Sequence, residues 1–315
     1  MEKKLLFLSN GRYDLYKVFE EGFKKYSGCE VTTVLYKNYK YKNTWEKVQN
    51  FLNKIFLNKN LKKIKASEQN LYGLEDHYDY LVMISAELVL PQHIKKLTQK
   101  ANHSVAYYWD SFDHIPAAHT IQYFDEAFTF EPKDAKDYNI NLITNFYFHE
   151  ERVTDYDYDL FFLASYDSRY PLIATIATAL EAQNQKVVIK QYAETLPDVT
   201  DAPKSIEFID KHISFNETKE LMRKSRIILD IHKDIQRGLS FRVYEAMGLG
   251  KKLITTNPDI KGYDFYNPNN IFIWTPETKS IPAEFLNTPY EELPEHIYKK
   301  YSQENWVKTL LNIKD

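Results

Sequence analysis

The sequence predicts an α/β protein of two Rossmann-like domains facing a cleft, and three observations predict it. The chain has 315 residues, and at about 100–200 residues per domain that length favours two domains over one. Short apolar runs alternate with longer stretches whose apolar residues recur near every 3.6, the grammar of an open parallel sheet flanked by helices. That alternation halts in the charge-dense stretch 149–159, His-Glu-Glu-Arg-Val-Thr-Asp-Tyr-Asp-Tyr-Asp, and then restarts. The expected division is 1–150 and 151–315, with the last helix open to packing back on the first domain.

In order, Leu5–Leu8 reads as a buried strand closed by Ser9-Asn-Gly11, followed by a helix from about Tyr13 to Lys25. Glu30–Leu35 is a second strand, and a lysine-rich helix or helix pair runs from about Thr44 to Ala66. Tyr80–Ile84 is a strand, Pro91–Lys100 a helix opened by proline, and Ser104–Tyr108 a strand ending at Trp109-Asp110-Ser111. Ala127–Phe130 and Asn141–Asn145 are short strands around a helix containing Lys133–Tyr138. Beyond the linker come strand Leu160–Ala164, helix Pro171–Ala182, strand Lys186–Lys190 and loop Pro197–Pro203. Helix Asn216–Lys224, with Asn216 as N-cap, strand Ile227–Ile231, helix Phe241–Gly248 and strand Lys252–Thr256 complete the series. Ligands in such sheets bind beyond the carboxyl ends of the strands, which in two facing domains means the cleft.

Composition excludes several classes. Only 8 glycines occur, where average usage of about 7 % would give roughly 22. Neither Gly-x-Gly-x-x-Gly nor Gly-x-x-x-x-Gly-Lys is present, which removes dinucleotide oxidoreductases and Walker-type hydrolases. The single cysteine, Cys29, excludes an intramolecular disulfide and a cysteine-rich zinc site and fits a reducing compartment. No apolar run reaches membrane-spanning length, and the apolar run at the start is too short for a signal peptide, so a cytoplasmic protein is expected. Net charge −3 gives no whole-protein case for nucleic-acid binding. Between Lys37 and Lys65, however, nine lysines face one acid, Glu46, with Tyr, Trp and Phe interleaved. That stretch reads as a solvated helical face over a core, as a membrane-surface patch, or more remotely as a single-strand nucleic-acid contact.

The most specific stretch runs from Arg226 to Asn257: a buried strand, a polar loop with Gly238, a helix starting near Leu239-Ser240, and another buried strand. A helix N-terminus after a glycine turn offers free N–H groups to a diphosphate. Arg242 and Glu245, three apart, share one helical face. There the cation suits phosphate oxygens and the carboxylate suits two ribose hydroxyls; the plainer reading is a surface ion pair.

This segment, with its Glu245-Ala-Met-Gly248 run, resembles the nucleotide-sugar site of GT-B glycosyltransferases, of the "glycosyl transferases group 1" type found in bacterial lipopolysaccharide and capsule synthesis. The likeness extends over most of residues 160–310. It implies a hexosyltransferase-type enzyme with domain 1–150 on the acceptor side and domain 151–315 binding the donor. Glu245 would be the ribose ligand, with Gly238, Leu239 and Ser240 at the diphosphate. The chain departs from the common retaining pattern in having Arg237, not glutamate, eight positions before Glu245, and Ala164–Arg169 carries no glycine turn. The resemblance implies no cofactor beyond the nucleoside-diphosphate-sugar co-substrate, a saccharide or lipid-linked saccharide acceptor, and a cytoplasmic enzyme peripheral on the inner membrane. It equally admits a GT-B-type nucleotide-sugar epimerase or a non-catalytic binding protein.

With no metal expected, Arg169, Lys190 and Arg242 are the candidate cations for the leaving diphosphate. Asp110, after a strand of the first domain, is the candidate base, with Trp109 beside it to stack on a sugar; His114 and Asp14 are further acceptor-side candidates. Asp155-Tyr-Asp157 and Asp157-Tyr-Asp159 match an Asp-x-Asp metal pattern but read as solvated linker.

Overall fold

A computed structural model describes residues 2–11, 14–233 and 235–314. The chain divides into two compact units, Met1–Ile143 with Trp306–Asp315, and Thr144–Asn305. Among the described residues each unit holds one parallel sheet of six strands. None of the described helices is long and apolar enough to cross a membrane.

The first unit runs β1 (Lys3–Asn10), α1 (Leu15–Tyr26), β2 (Cys29–Tyr36), α2 (Thr44–Leu57), α3 (Leu61–Asn70), β3 (Tyr78–Ile84), α4 (Pro91–Thr98), β4 (Ala101–Tyr108), β5 (Glu126–Thr129), α5 (Pro132–Tyr138) and β6 (Asn141–Leu142). Tyr13, where the first helix is expected to start, lies outside the described residues. The strand order is β2-β1-β3-β4-β5-β6. The order reverses between β1 and β3, the switch point where doubly wound sheets open a crevice. Part of the aromatic excess fills one face of this sheet: Phe7 against Phe23 at 5.1 Å between centroids, and Tyr107 against Trp306 at 5.0 Å. Trp306 also touches Phe19, which ties the end of the chain to the first unit.

The second unit runs β7 (Tyr158–Ser165), α6 (Tyr170–Ala182), β8 (Val187–Tyr192), β9 (Ile206–Ile209), α7 (Phe215–Arg223), β10 (Ser225–Asp230), α8 (Phe241–Gly248), β11 (Lys252–Thr255), β12 (Ile271–Ile273), α9 (Ala283–Asn287) and α10 (Glu295–Lys300). Helix α11 (Gln303–Leu310) closes the chain. The order is β12-β11-β10-β7-β8-β9, with its switch point between β7 and β10. Strands β7 and β10 are apolar on both faces because helices cover both: Leu160, Phe162, Ile227 and Leu229 pack with Ile173 and Ile176 of α6, while Phe161 and Ile228 pack with Val243 and Met247 of α8.

Three expectations change. Ser214, not Asn216, caps α7, its hydroxyl accepting from Glu217 N at 3.2 Å, the Ser-x-x-Glu spacing that satisfies an orphan helix donor. The boundary falls at 143/144 rather than 150/151, because residues 145–149 are bonded into the second unit. The stretch after it is solvated, most of residues 150–157 being exposed, but it is a strap tied to that unit by ion pairs rather than a free linker. Arg152 pairs with Glu292 at 3.1 Å, Lys219 with Glu151 at 3.3 Å and Lys224 with Asp157 at 2.7 Å. Asp159 belongs to β7 and pairs with Arg226 at 3.0 Å, at the amino end of the sheet.

Candidate functional site

The carboxyl ends of β7 and β10 flank the second switch point, and two arginines cross it in opposite directions. Arg169 follows β7, yet its Nη1 donates to Ile231 O just beyond β10 at 2.8 Å. Arg242, in the first turn of α8, donates from Nη2 to Leu163 O of β7 at 2.8 Å and lies over the Phe162 ring. Each guanidinium has one carboxylate. Asp167 takes Arg169 Nη2 at 2.7 Å and Nε at 2.9 Å, and those bonds hold its pKa below the usual carboxylate range. Asp230, 2 % exposed, accepts Ser240 Oγ at 2.8 Å, Arg242 Nη1 at 3.3 Å and Thr255 Oγ1 at 3.0 Å. Burial pushes the Arg242 pKa down; Asp230 opposes that, and neighbouring Arg169 adds to it by like-charge repulsion.

Both helices that start here lack a side-chain cap. Ser240 sits at the N-cap of α8 but spends its hydroxyl on Asp230, and Arg169 at the N-cap of α6 makes no cap bond. Helices α2, α3 and α7 are capped by Asn43, Asn60 and Ser214, while α1, α4, α9 and α10 also lack a side-chain cap. At α6 the first-turn donors are already spent, Tyr170 N on Asp167 O and Leu172 N on Arg169 O, and Pro171 carries none, so it is the start of α8 that offers the positive end of a helix dipole to an anion beside two guanidiniums. His232 joins the rim, its Nδ1 2.8 Å from Thr256 Oγ1.

Of the donor-side residues expected from sequence, the structure brings together Arg169, Ser240 and Arg242. Gly238 lies in the loop leading to α8. Leu239 is buried in the core, and its carbonyl accepts Asn145 Nδ2 at 2.9 Å. Lys190 is not part of the cluster: it sits mid-strand in β8 and pairs with Glu207 of β9, on the side of the sheet away from β10. Glu245 is the larger correction. Its carboxylate is 6 % exposed, with Oε1 accepting Phe148 N at 2.9 Å and Oε2 lying 2.5 Å from His149 Nδ1. Burial raises its pKa, and the bond from His149 works against that. Gly248 completes the contact, since a Cβ there would stand 2.3 Å from His149 O. The Glu-Ala-Met-Gly run therefore clamps residues 147–149 onto α8, leaving Glu245 no open face for a ribose.

On the first sheet, Asn10 and Ser85 end β1 and β3 and bridge that switch point, Asn10 Nδ2 donating to Ser85 Oγ at 2.6 Å. Ser85 adopts φ 70°, a left-handed conformation costly for a residue with a Cβ. Asp110 follows β4; its Oδ1 accepts Ser111 N at 3.0 Å, and Oδ2 lies 3.7 Å from His114 Nε2. Trp109 is half-buried against Phe19 at 6.4 Å. Asp14 is exposed and pairs with Lys17 at 3.2 Å.

Asp167, Asp230, Asn10 and Ser85 went unread in the sequence. Each is a polar residue at or just after the end of an apolar strand, and that position at a switch point was the signal available.

No protein-family model matches the chain, and no curated protein sequence does. Its architecture is similar to that of an alpha-glucosyltransferase in complex with UDP-glucose and DNA containing an abasic site, 15 % identical over 99 % of this chain and 91 % of that one, TM-score 0.52. It is also similar to Anabaena Alr3699/HepE in complex with UDP and glucose, 11 % identical over 98 % of this chain and 95 % of that one, TM-score 0.52. These likenesses run the length of the chain and show its fold, two Rossmann-like units of the GT-B kind.

Proposed function

We propose that the chain is a glycosyltransferase that moves a hexosyl group from a nucleoside-diphosphate sugar to a saccharide hydroxyl in surface polysaccharide or lipooligosaccharide assembly, on the cytoplasmic side of the membrane. The observation that carries the reading is the crossed pair Arg169 and Arg242 beside the start of α8 at one switch point. Such a site fits two adjacent phosphates better than a single carboxylate, because it supplies two fork-shaped cations beside the positive end of a helix. The two similar structures named above carry UDP-glucose, or UDP and glucose, which agrees with a nucleoside diphosphate as the anion.

In this reading the arginines and the start of α8 stabilise the charge that grows on the leaving diphosphate, with no metal required. Asp110 of the first unit takes the acceptor hydroxyl proton, and Trp109, His114 and Asp14 are the acceptor-side candidates. The acceptor is a saccharide or lipid-linked saccharide.

A thermal-shift screen of nucleoside diphosphates and their sugars tests the reading, since a ligand of the folded state raises the transition by mass action. UDP or another nucleoside diphosphate should stabilise the chain, and that shift should vanish in Arg242→Ala. Transfer to an acceptor should survive chelation by EDTA. Absence of binding by every nucleotide tried would refute the proposal, while conversion of the donor sugar to its epimer with no acceptor present would make the chain an epimerase.

A further inference from the structure

Helix α2 is turned inside out. Its buried residue is a polar one, Asn50, whose Nδ2 donates to Tyr41 Oη at 2.7 Å and whose Oδ1 accepts Lys62 N at 3.1 Å. Glu46, one turn earlier, also faces the protein and accepts Lys42 N at 2.9 Å, Lys65 Nζ at 2.9 Å and Tyr39 Oη at 3.0 Å. The apolar residues point the other way. Trp45, Phe51 and Phe56 are 63 %, 61 % and 75 % exposed, and Val48, Leu52 and Ile55 are exposed with them. These positions recur three and four apart and so form one continuous stripe. The lysine-rich stretch is therefore not a solvated face over a core: the core-like side of α2 faces outward. A contiguous apolar patch of this kind on a water-facing helix marks a surface that something else covers.

The surrounding charge identifies the cover. Nine lysines and one acid lie between Lys37 and Lys65, and that acid, Glu46, is already engaged by Lys65. Lys40, Lys42, Lys47, Lys54 and Lys59 are exposed around the stripe. An anionic bilayer offers a plane of negative headgroups above an apolar interior, which matches lysines bordering a Trp/Phe/Ile stripe. A second copy of α2 would set lysines against lysines.

We propose that α2 lies in the interface of an anionic membrane, its Trp45–Phe56 stripe among the acyl chains and the flanking lysines at the headgroups. This inference stands independently of the sugar-transfer reading. The chain enters α2 from the carboxyl end of β2, and Asn10, Ser85 and Asp110 lie at or just past the carboxyl ends of their strands in the same parallel sheet.

Co-sedimentation of the full chain with vesicles of phosphatidylcholine, alone or mixed with phosphatidylglycerol, tests this, with tryptophan emission as a second readout. The chain should bind the mixed vesicles, fail to bind neutral ones, and release as salt rises. Binding should shift the emission to the blue, and Trp45→Phe should remove most of that shift, because Trp274 and Trp306 are 4 % and 3 % exposed. Phe51→Ser with Phe56→Ser should weaken partitioning by at least about tenfold. Lys47→Gln with Lys54→Gln should also weaken it by at least about tenfold. All four side chains are exposed, so the unfolding transition should stay put and the loss cannot come from misfolding. No binding to mixed vesicles, or equal binding to neutral ones, overturns the proposal. So does a dimer that Phe51→Ser with Phe56→Ser breaks, or capture of single-stranded oligonucleotide without vesicle binding.

Discussion

Replacing Glu245 by alanine separates two jobs a buried carboxylate on α8 can do. As a ribose ligand it would matter to nucleotide affinity and little to stability. As a clamp on residues 147–149 it matters to stability first. The substitution removes the acceptor of Phe148 N and the partner of His149 Nδ1, a ring only 14 % exposed. Leaving the His149 ring without its carboxylate costs about 1–3 kcal/mol. An orphaned buried N–H costs about 1–3 kcal/mol as well, so about 4 kcal/mol in all is expected. Urea unfolding followed by tryptophan emission should show the midpoint falling by that equivalent at unchanged slope. Glu245→Gln retains an acceptor for Phe148 N and should lose about half as much. His149→Ala combined with Glu245→Ala should cost well under the sum of the two singles, the mark of a shared contact. If Glu245→Ala unfolds within about 1 kcal/mol of the parent while UDP binding disappears, the clamp reasoning is refuted and the ligand role restored.

Other outcomes follow from the same coordinates. Arg169→Ala and Arg242→Ala should each weaken UDP binding about 10- to 100-fold by calorimetry, the range of a lost charge-assisted bond, and Arg242→Lys should recover only part. Gly248→Ala puts a methyl 2.3 Å from His149 O, against backbone that has little room to give, so thermal unfolding should drop by the equivalent of about 2 kcal/mol or more. Lys251 is 2 % exposed, donates to Arg223 O at 2.6 Å, and is pushed by burial from 10.5 to about 7. The unfolded chain then binds the extra proton between about pH 7 and 10.5, so stability should rise with pH across that window by up to about 1.4 kcal/mol per unit. Lys251→Met should flatten the rise and stabilise the protein at neutral pH; a slope left unchanged would refute the assignment.

The doubly wound frame was legible because strands buried on both faces read as apolar runs between helix-period segments, and Leu160–Ala164, Ile227–Ile231 and Lys252–Thr256 fall on or within a residue or so of β7, β10 and β11. Strands β9 and β12 escaped notice. They are the two edges of their sheet, short and only partly buried, so neither shows the continuous apolar run of a central strand such as the comparably short β11. On the site, Arg242 and Ser240 were legible from the loop–helix junction, whereas Asp230 and Asp167 were not: Asp167 pairs with Arg169 two residues on and Asp230 with Arg242 across the β10–α8 loop, and neither loop shows a period that would announce the contact. The meaning of Glu245 was hidden for a different reason. A helix-period pattern reports which face is covered, not what covers it, and the covering segment lies 96 residues away in sequence. The glycine three positions on was the overlooked sign, because a glycine inside a helix that a neighbouring backbone approaches closely announces that neighbour. The same limit applies to α2, where interleaved aromatics and lysines left a covered core, a membrane-surface patch and a nucleic-acid contact all open, and the structure turns the apolar side outward.

The crossing of Arg169 and Arg242 at the second switch point also bears on how an anion would be met. Free arginine side chains surrender about 2 kcal/mol of rotamer freedom when they close on a ligand. Here each guanidinium is already fixed by a carbonyl on the opposite strand and by its own aspartate. That ordering is met during folding, so binding proceeds against preorganised charge and little of the interaction is lost to freezing side chains. Such a site discriminates by shape as well as by sign, favouring an anion whose oxygens are spaced to meet both forks at once over a more concentrated one that is not.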